Sequence, residues 1–243
     1  MTAQFQCTYT LLTTADSGAR DVSTIRLGVF HTTENADNTD PRNVARWQQN
    51  RANESSYNVL VGTGGETVRS NDDNFIPWAA GPTGNRLGVH MSAIGYAART
   101  RERWLAYPKQ IDSMARWAAD ISRRYGLPLK WLTAAEVRAG ARGFCGHAQI
   151  SGAWHEVTHT DPGPGFPHDV VLARAGEMLK ERRASKGGKN VEDKTSDLIL
   201  DQLAGHPWNE WPGWEQLGNR SLVDAVGAIG AKLGIDGFKD TKE

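Results

Sequence analysis

Cysteine is scarce in these 243 residues: Cys7 and Cys145 are the two present, and they lie far apart. That argues against a disulfide framework and leaves stability to a hydrophobic core. An excess of either charge is missing as well. Lys plus Arg and Asp plus Glu each total 28, for a formal net charge of zero. Such a balance gives no electrostatic reason to expect nucleic acid as a partner, and no polybasic tail points to a membrane surface. No apolar run reaches the 18 residues that would suggest a spanning helix. The opening MTAQFQCTYTLLTTADSGAR lacks both a basic start and a sustained apolar stretch. It does not read as a secretion leader, so the chain is expected to begin in the cytoplasm.

What is present suits a globular protein. Hydrophobic residues make up 39% of the chain, and the length accommodates one well-packed domain with a smaller appendage. Tryptophan is abundant, with nine residues; cores and sugar-facing grooves both use it, so the count decides nothing.

Periodicity supplies the elements. Thr24 to His31 reads as a strand, with Ile25, Leu27 and Val29 sharing one face. Tyr57 to Arg69 reads as a hairpin turning at Thr63-Gly64-Gly65, and Arg86 to Gly95 as a third strand. Apolar residues at helical spacing (Ile111, Met114, Trp117, Ala118, Ile121) predict a helix over Gln110–Tyr125. Thr133 with Glu136 forms a capping-box pattern, and Pro167–Arg183 reads as a further helix. Strands interleaved with helices predict an α/β fold, a central mixed sheet flanked by helices.

The stretch Glu181–Ser196 is polar, charged and glycine-containing, which is linker composition. The organisation expected is a domain over 1–183, a linker over 184–196 and a small helical region over 197–243. In that last region Asp197–Leu203 and Ser221–Leu233 read as short helices around a segment with three tryptophans in seven residues.

Chemistry concentrates in two places. His31 ends the first strand in VFHTTEN, and alone it is a weak signal. GFCGHAQISGAWHEVTHTDPGPGFP (Gly143 to Pro167) packs His147, His155, His159 and Asp161 into fifteen residues. Pro162-Gly163-Pro164 then fixes the direction of the chain after the carboxylate. Neutral imidazoles and a carboxylate are ordinary zinc ligands, and catalytic sites use three of them. A histidine-rich surface loop held by hydrogen bonds is the other reading of the same residues.

GH, a short loop and TDPGPxFP, with an upstream strand ending in FHTT, resemble the type 2 N-acetylmuramoyl-L-alanine amidases. These share a fold with peptidoglycan recognition proteins and short phage amidases. The resemblance covers Ile25 to Arg183. It implies zinc in a surface groove, held by His31, His147 and Asp161, and hydrolysis of the amide joining N-acetylmuramic acid to L-alanine. Bacterial peptidoglycan is then the partner. The loop before Asp161 is longer than in many relatives, so His155 and His159 compete for a ligand position.

Other roles follow from the same resemblance. Tyr57 falls where phage relatives carry a tyrosine facing the metal, though a half-buried strand aromatic is an equal reading. His159 falls near a lysine that stabilises an oxyanion. His90, in LGVH, stands where relatives supply a carboxylate, and sharing proton transfer is the role it would take. Glu34 reads either as a group orienting His31 or as a solvated loop acid. The tail resembles those of actinobacteriophage endolysins, and its tryptophans either contact wall glycans or staple two short helices. A phage or prophage lysis enzyme, released through a holin pore, is the leading expectation. A non-catalytic peptidoglycan-binding module and a recycling amidase are the alternatives.

Overall fold

The computed structural model describes residues 4–187 and 222–236. The chain divides into two compact units, residues 1–180 and 181–243. In the first unit the strands are β1 (Tyr9–Thr10), β2 (Asp16–Ala19), β3 (Leu27–Thr32), β4 (Val59–Val61), β5 (Thr67–Arg69), β6 (Phe75–Pro77), β7 (Gly88–Ala93) and β8 (Gly143–Gly146). The helices are α1 (Pro41–Gln48), α2 (Gly81–Leu87), α3 (Arg101–Leu105), α4 (Pro108–Tyr125), α5 (Ala134–Arg138), α6 (His147–Trp154) and α7 (His168–Gly187).

Six strands form one sheet in the order β1-β5-β4-β7-β3-β8, and β2 pairs with β6 apart from it. Only β4 and β5 run antiparallel within the large sheet; its other pairings are parallel. The sheet is therefore mixed, with helices on both faces, as the interleaved strand and helix signals predict.

Strand β3 lies between β7 and β8 and is buried along its whole length. Its alternate residues feed two separate cores. Phe30 packs with Val89, Met91, Met114, Trp117 and Ile121, the side covered by α4 and α7. Leu27 and Val29 pack with Leu132, Val137, Cys145 and Ile150, the side covered by α5 and α6. On a third patch Leu60 and Val68 meet Ala45 of α1.

Helix α4 shows why its sequence is helical. Proline at its first position needs no backbone donor there, and Gly126 ends the helix with φ of 62°. Ile111, Met114, Trp117, Ala118 and Ile121 are buried on one side, and Trp117 meets the Phe30 ring edge-on at 5.2 Å. The Thr133–Glu136 capping box is formed as its pattern indicates.

Several boundaries differ from the sequence reading. Val22–Thr24 forms a 3-10 turn, so the first strand starts at Leu27. Ile25 consequently joins the α4 core and does not share a face with Leu27 and Val29. Helix α2 takes Arg86 and Leu87 from the third strand. Helix α7 continues to Gly187, four residues into the segment read as linker. The rest of that segment, the helix expected over Asp197–Leu203 and the tryptophan cluster lie outside the described residues. The helix expected over Ser221–Leu233 spans Leu222–Lys232.

Gly28 of β3 is a sharp test of this packing. A Cβ there would lie 2.6 Å from the Phe144 ring and 2.7 Å from Ile121. Gly28→Ala overpacks a full core and should cost about 1–3 kcal/mol. Urea unfolding measures it; a stability equal to that of the parent chain would contradict this account of the core.

Candidate metal centre and cleft

The parallel register of β3 and β7 builds the site. His31 lies opposite Ser92, and His90 lies opposite Val29. Val89, Met91 and Ala93 face the α4 core, so alternation turns His90 and Ser92 to the other face of the sheet. His31, near the carboxyl end of β3, points to that face as well. His147 is the first residue of α6, directly after β8. Asp161 arrives from the loop after α6. Its carbonyl accepts from the Ala148 backbone N–H at 3.2 Å, and its side chain accepts from the Thr32 N–H at 3.2 Å.

Glycine makes that loop possible. Gly163 has φ of +84°, and a Cβ on it would lie 1.9 Å from the Ala97 carbonyl oxygen. Only a residue without a side chain lets the segment after Asp161 seat against residue 97.

Nδ1 of His31 lies 3.0 Å from Asp161 Oδ2, and Nδ1 of His147 lies 3.1 Å from Asp161 Oδ1. Ligand atoms from these three residues all fall within 4.8 Å of one another, the one such group among the described residues. Two imidazoles and a carboxylate match the composition of a catalytic zinc site, which leaves one position for water or substrate. The donor set itself fits: each Asp161 oxygen faces a ring nitrogen of a different histidine, and an ion in place of the hydrogens between them would be held by all three.

His155 and His159 take other places. His155 is exposed and ends α6 with a left-handed backbone, φ 57°. His159 stacks on the His147 ring at 4.8 Å between centroids and lines the cleft. Tyr57 also lines the cleft, its ring 5.1 Å from that of His31. His90 is fully buried, and its Nδ1 lies 3.0 Å from His31 Nε2. It is absent from the cleft lining.

The cleft has a volume of about 1000 Å³ and opens to solvent. Glu34 stands on its wall with a left-handed backbone, φ 53°. Its Oε1 accepts from Thr32 Oγ1 at 2.5 Å and from the Ala97 N–H at 2.8 Å. It therefore ties the residue after His31 to the loop that seats Gly163. Sequence reasoning named Glu34 but missed Arg86 and Glu54, which also line the cleft. It missed the Thr32 backbone donor too, which carries no side-chain signal.

Burial sets the charge states. Desolvation, outweighing the Asp161 carboxylate, lowers the pKa of His31. Desolvation, with His31 and Arg20 nearby, places that of His90 well below the usual histidine range. For Asp161 burial acts upward, but hydrogen bonds with His147 and His31 outweigh it and hold the carboxyl below its ordinary range. Burial, with the Asp161 charge, raises Tyr57 to about 12, so its hydroxyl remains a donor at neutral pH.

These directions fix a pH dependence. His31 and His90 bind protons less readily when folded than when unfolded, so stability is complete above the unfolded histidine pKa of about 6.5 and falls below it. Asp161 has the same sense at lower pH: its carboxyl is also held below its ordinary value, so its contribution is lost as pH falls below the ordinary carboxylate range. Metal-free protein should therefore lose stability as pH falls from about 6.5 to 5.5, by at most about 1.4 kcal/mol per pH unit for each histidine. Urea unfolding across that interval checks it; a flat profile would show that neither histidine is held neutral.

Comparison with known proteins agrees with this architecture. The chain is similar to the Staphylococcus aureus hydrolase AmiA, whose crystal structure is in complex with its ligand. The TM-score is 0.56 at 17% identity, covering 75% of this chain and 86% of that one. It is also similar to a mutant endolysin from Bacillus subtilis, with a TM-score of 0.48 at 16% identity, covering 70% of this chain and 100% of the other. At such identities the likeness to AmiA establishes the fold. No curated protein matches the chain. Residues 175–237 match the model of the Rv3766 C-terminal domain. Residues 21–164, more than half of the chain, match the model of the N-acetylmuramoyl-L-alanine amidases, and the chain belongs to that family.

Proposed function

We propose that this protein is a zinc-dependent amidase that hydrolyses the bond between N-acetylmuramic acid and L-alanine in bacterial peptidoglycan. One observation carries the reading: two histidines and an aspartate converge, His147 and Asp161 on the wall of an open cleft and His31 buried behind them, in a chain of the amidase family. His31, His147 and Asp161 hold the ion. When bound, zinc supplies Lewis acidity, which activates water near neutral pH and polarises a carbonyl.

The remaining work belongs to the protein. Asp161 stays ionised and is aimed by the Thr32 N–H. Tyr57 lines the cleft and keeps its hydroxyl protonated. His159, exposed and stacked on His147, stands where an N–H can donate to a developing oxyanion. The cleft opens to solvent, as access by a polymer strand requires.

A phage or prophage lysis role, with release from the host cytoplasm through a holin pore, is part of the same proposal. The second unit, which matches the Rv3766 C-terminal domain model, motivates it, and wall binding by that region is part of the proposal. A neighbouring holin gene would support this role, and a gene among recycling functions would refute it.

Variants separate metal ligands from oxyanion donors. His31→Ala, His147→Ala and Asp161→Ala should each abolish clearing of peptidoglycan suspensions and lose zinc. His159→Ala should keep one zinc while turnover falls about 100- to 1000-fold, the usual cost of one oxyanion donor. His159→Lys should recover part of that. Loss of zinc from His159→Ala would make His159 a ligand and overturn the assignment.

A further inference from the structure

Behind the three ligands lies a fourth imidazole that the proposed chemistry does not use. His90 is fully buried on β7. Asn58 grips its backbone from both sides: Asn58 Oδ1 accepts from the His90 N–H at 2.8 Å, and the Asn58 N–H donates to the His90 carbonyl at 2.9 Å. Nε2 of His90 lies 3.2 Å from the Gly84 carbonyl oxygen, and Nδ1 lies 3.0 Å from His31 Nε2. Gly88 keeps this space open, because a Cβ there would stand 2.7 Å from His90 Nε2.

The partners determine where the hydrogens are. A carbonyl oxygen only accepts, so His90 Nε2 is the donor to Gly84. A neutral imidazole carries one N–H, so His90 Nδ1 offers a lone pair. Facing it, His31 Nε2 must be the donor. His31 Nδ1 is then a lone pair as well, and it lies 3.0 Å from Asp161 Oδ2. Two acceptors in contact at a buried site are unfavourable unless a cation stands between them.

We infer that His90 is a positioning residue: by donating to the Gly84 carbonyl it locks His31 in its Nε2–H tautomer and leaves the His31 Nδ1 lone pair free for the metal. Both steps rest on the metal centre proposed above, because the ion takes the place of a hydrogen between His31 Nδ1 and Asp161 Oδ2. Buried and absent from the cleft lining, His90 does not meet substrate itself.

Imidazole ¹⁵N spectra of the zinc-loaded full-length protein at about pH 8, above the ordinary histidine range, read which nitrogens carry hydrogen and which hold the ion. Wild type should show His31 protonated at Nε2 and bound to zinc through Nδ1. In His90→Leu, which fills space without an acceptor, zinc affinity by chelator competition should fall about 10- to 100-fold, the usual effect of removing a group that orients a ligand. His90→Asn, whose Oδ1 replaces Nδ1 as acceptor, should restore most of the affinity. A wild-type His31 that holds zinc through Nε2 overturns the inference, and that result needs no variant to fold. Unchanged affinity in His90→Leu overturns it too, as does equal loss in the Leu and Asn variants. If wild type binds no zinc, the metal centre proposed above fails and the inference with it, whereas zinc held through His31 Nε2 overturns the role of His90 alone.

Discussion

The site depends on one meeting: the Asp161 carboxylate, brought from a loop, lodges between His31 and His147 and accepts from the backbone N–H of Thr32. It places an ionised group, 8% exposed, against two imidazoles near the ends of neighbouring parallel strands. A buried carboxylate is tolerated only when its oxygens are paired. Each oxygen faces one histidine nitrogen, at 3.0 and 3.1 Å, with the Thr32 N–H as a fixed neutral donor. The same convergence that pairs the carboxylate creates the place for a cation.

The rest of the fold holds those positions still. Strand β3 is buried on both faces, so His31 is set by the α4 core on one side and by the α5 and α6 core on the other. His147 inherits its place from β8 through the first turn of α6. Asp161 is held by Gly163, which fits against Ala97, and Ala97 in turn donates to Glu34. Glu34 also accepts from Thr32 Oγ1, which closes a loop of contacts around the carboxylate. Glu34 and Glu54 both line the cleft in the left-handed region. Such backbone persists where surrounding contacts determine it, and it clusters at functional sites.

The sequence disclosed this unevenly, for physical reasons. His31 was legible because it ends an apolar strand, and His147 and Asp161 because a distinctive string surrounds them. Among four nearby candidates, spacing could not choose the ligands. The choice depends on α6, whose first residue is His147 and whose C-cap turns His155 outward. That helix was missed because HAQISGAW lacks a clear apolar stripe. Helix α2 was missed because two glycines and a proline in GPTGNRL mask it. Strand β8 is four residues long, two of them glycine, and its pairing with β3 is a tertiary event. The partnership of His90 with His31 follows from parallel register, which no single strand encodes.

The central claim is that this cleft cuts the bond between muramic acid and L-alanine with a metal held by His31, His147 and Asp161. Mass spectrometry of the products released from purified sacculi, with and without a chelator and zinc add-back, tests it most directly. The account predicts free stem peptides with new L-alanine amino termini, abolished by the chelator and restored by zinc. Glycan fragments with new reducing ends, cleavage inside the peptide, or release that the chelator leaves unchanged would contradict it.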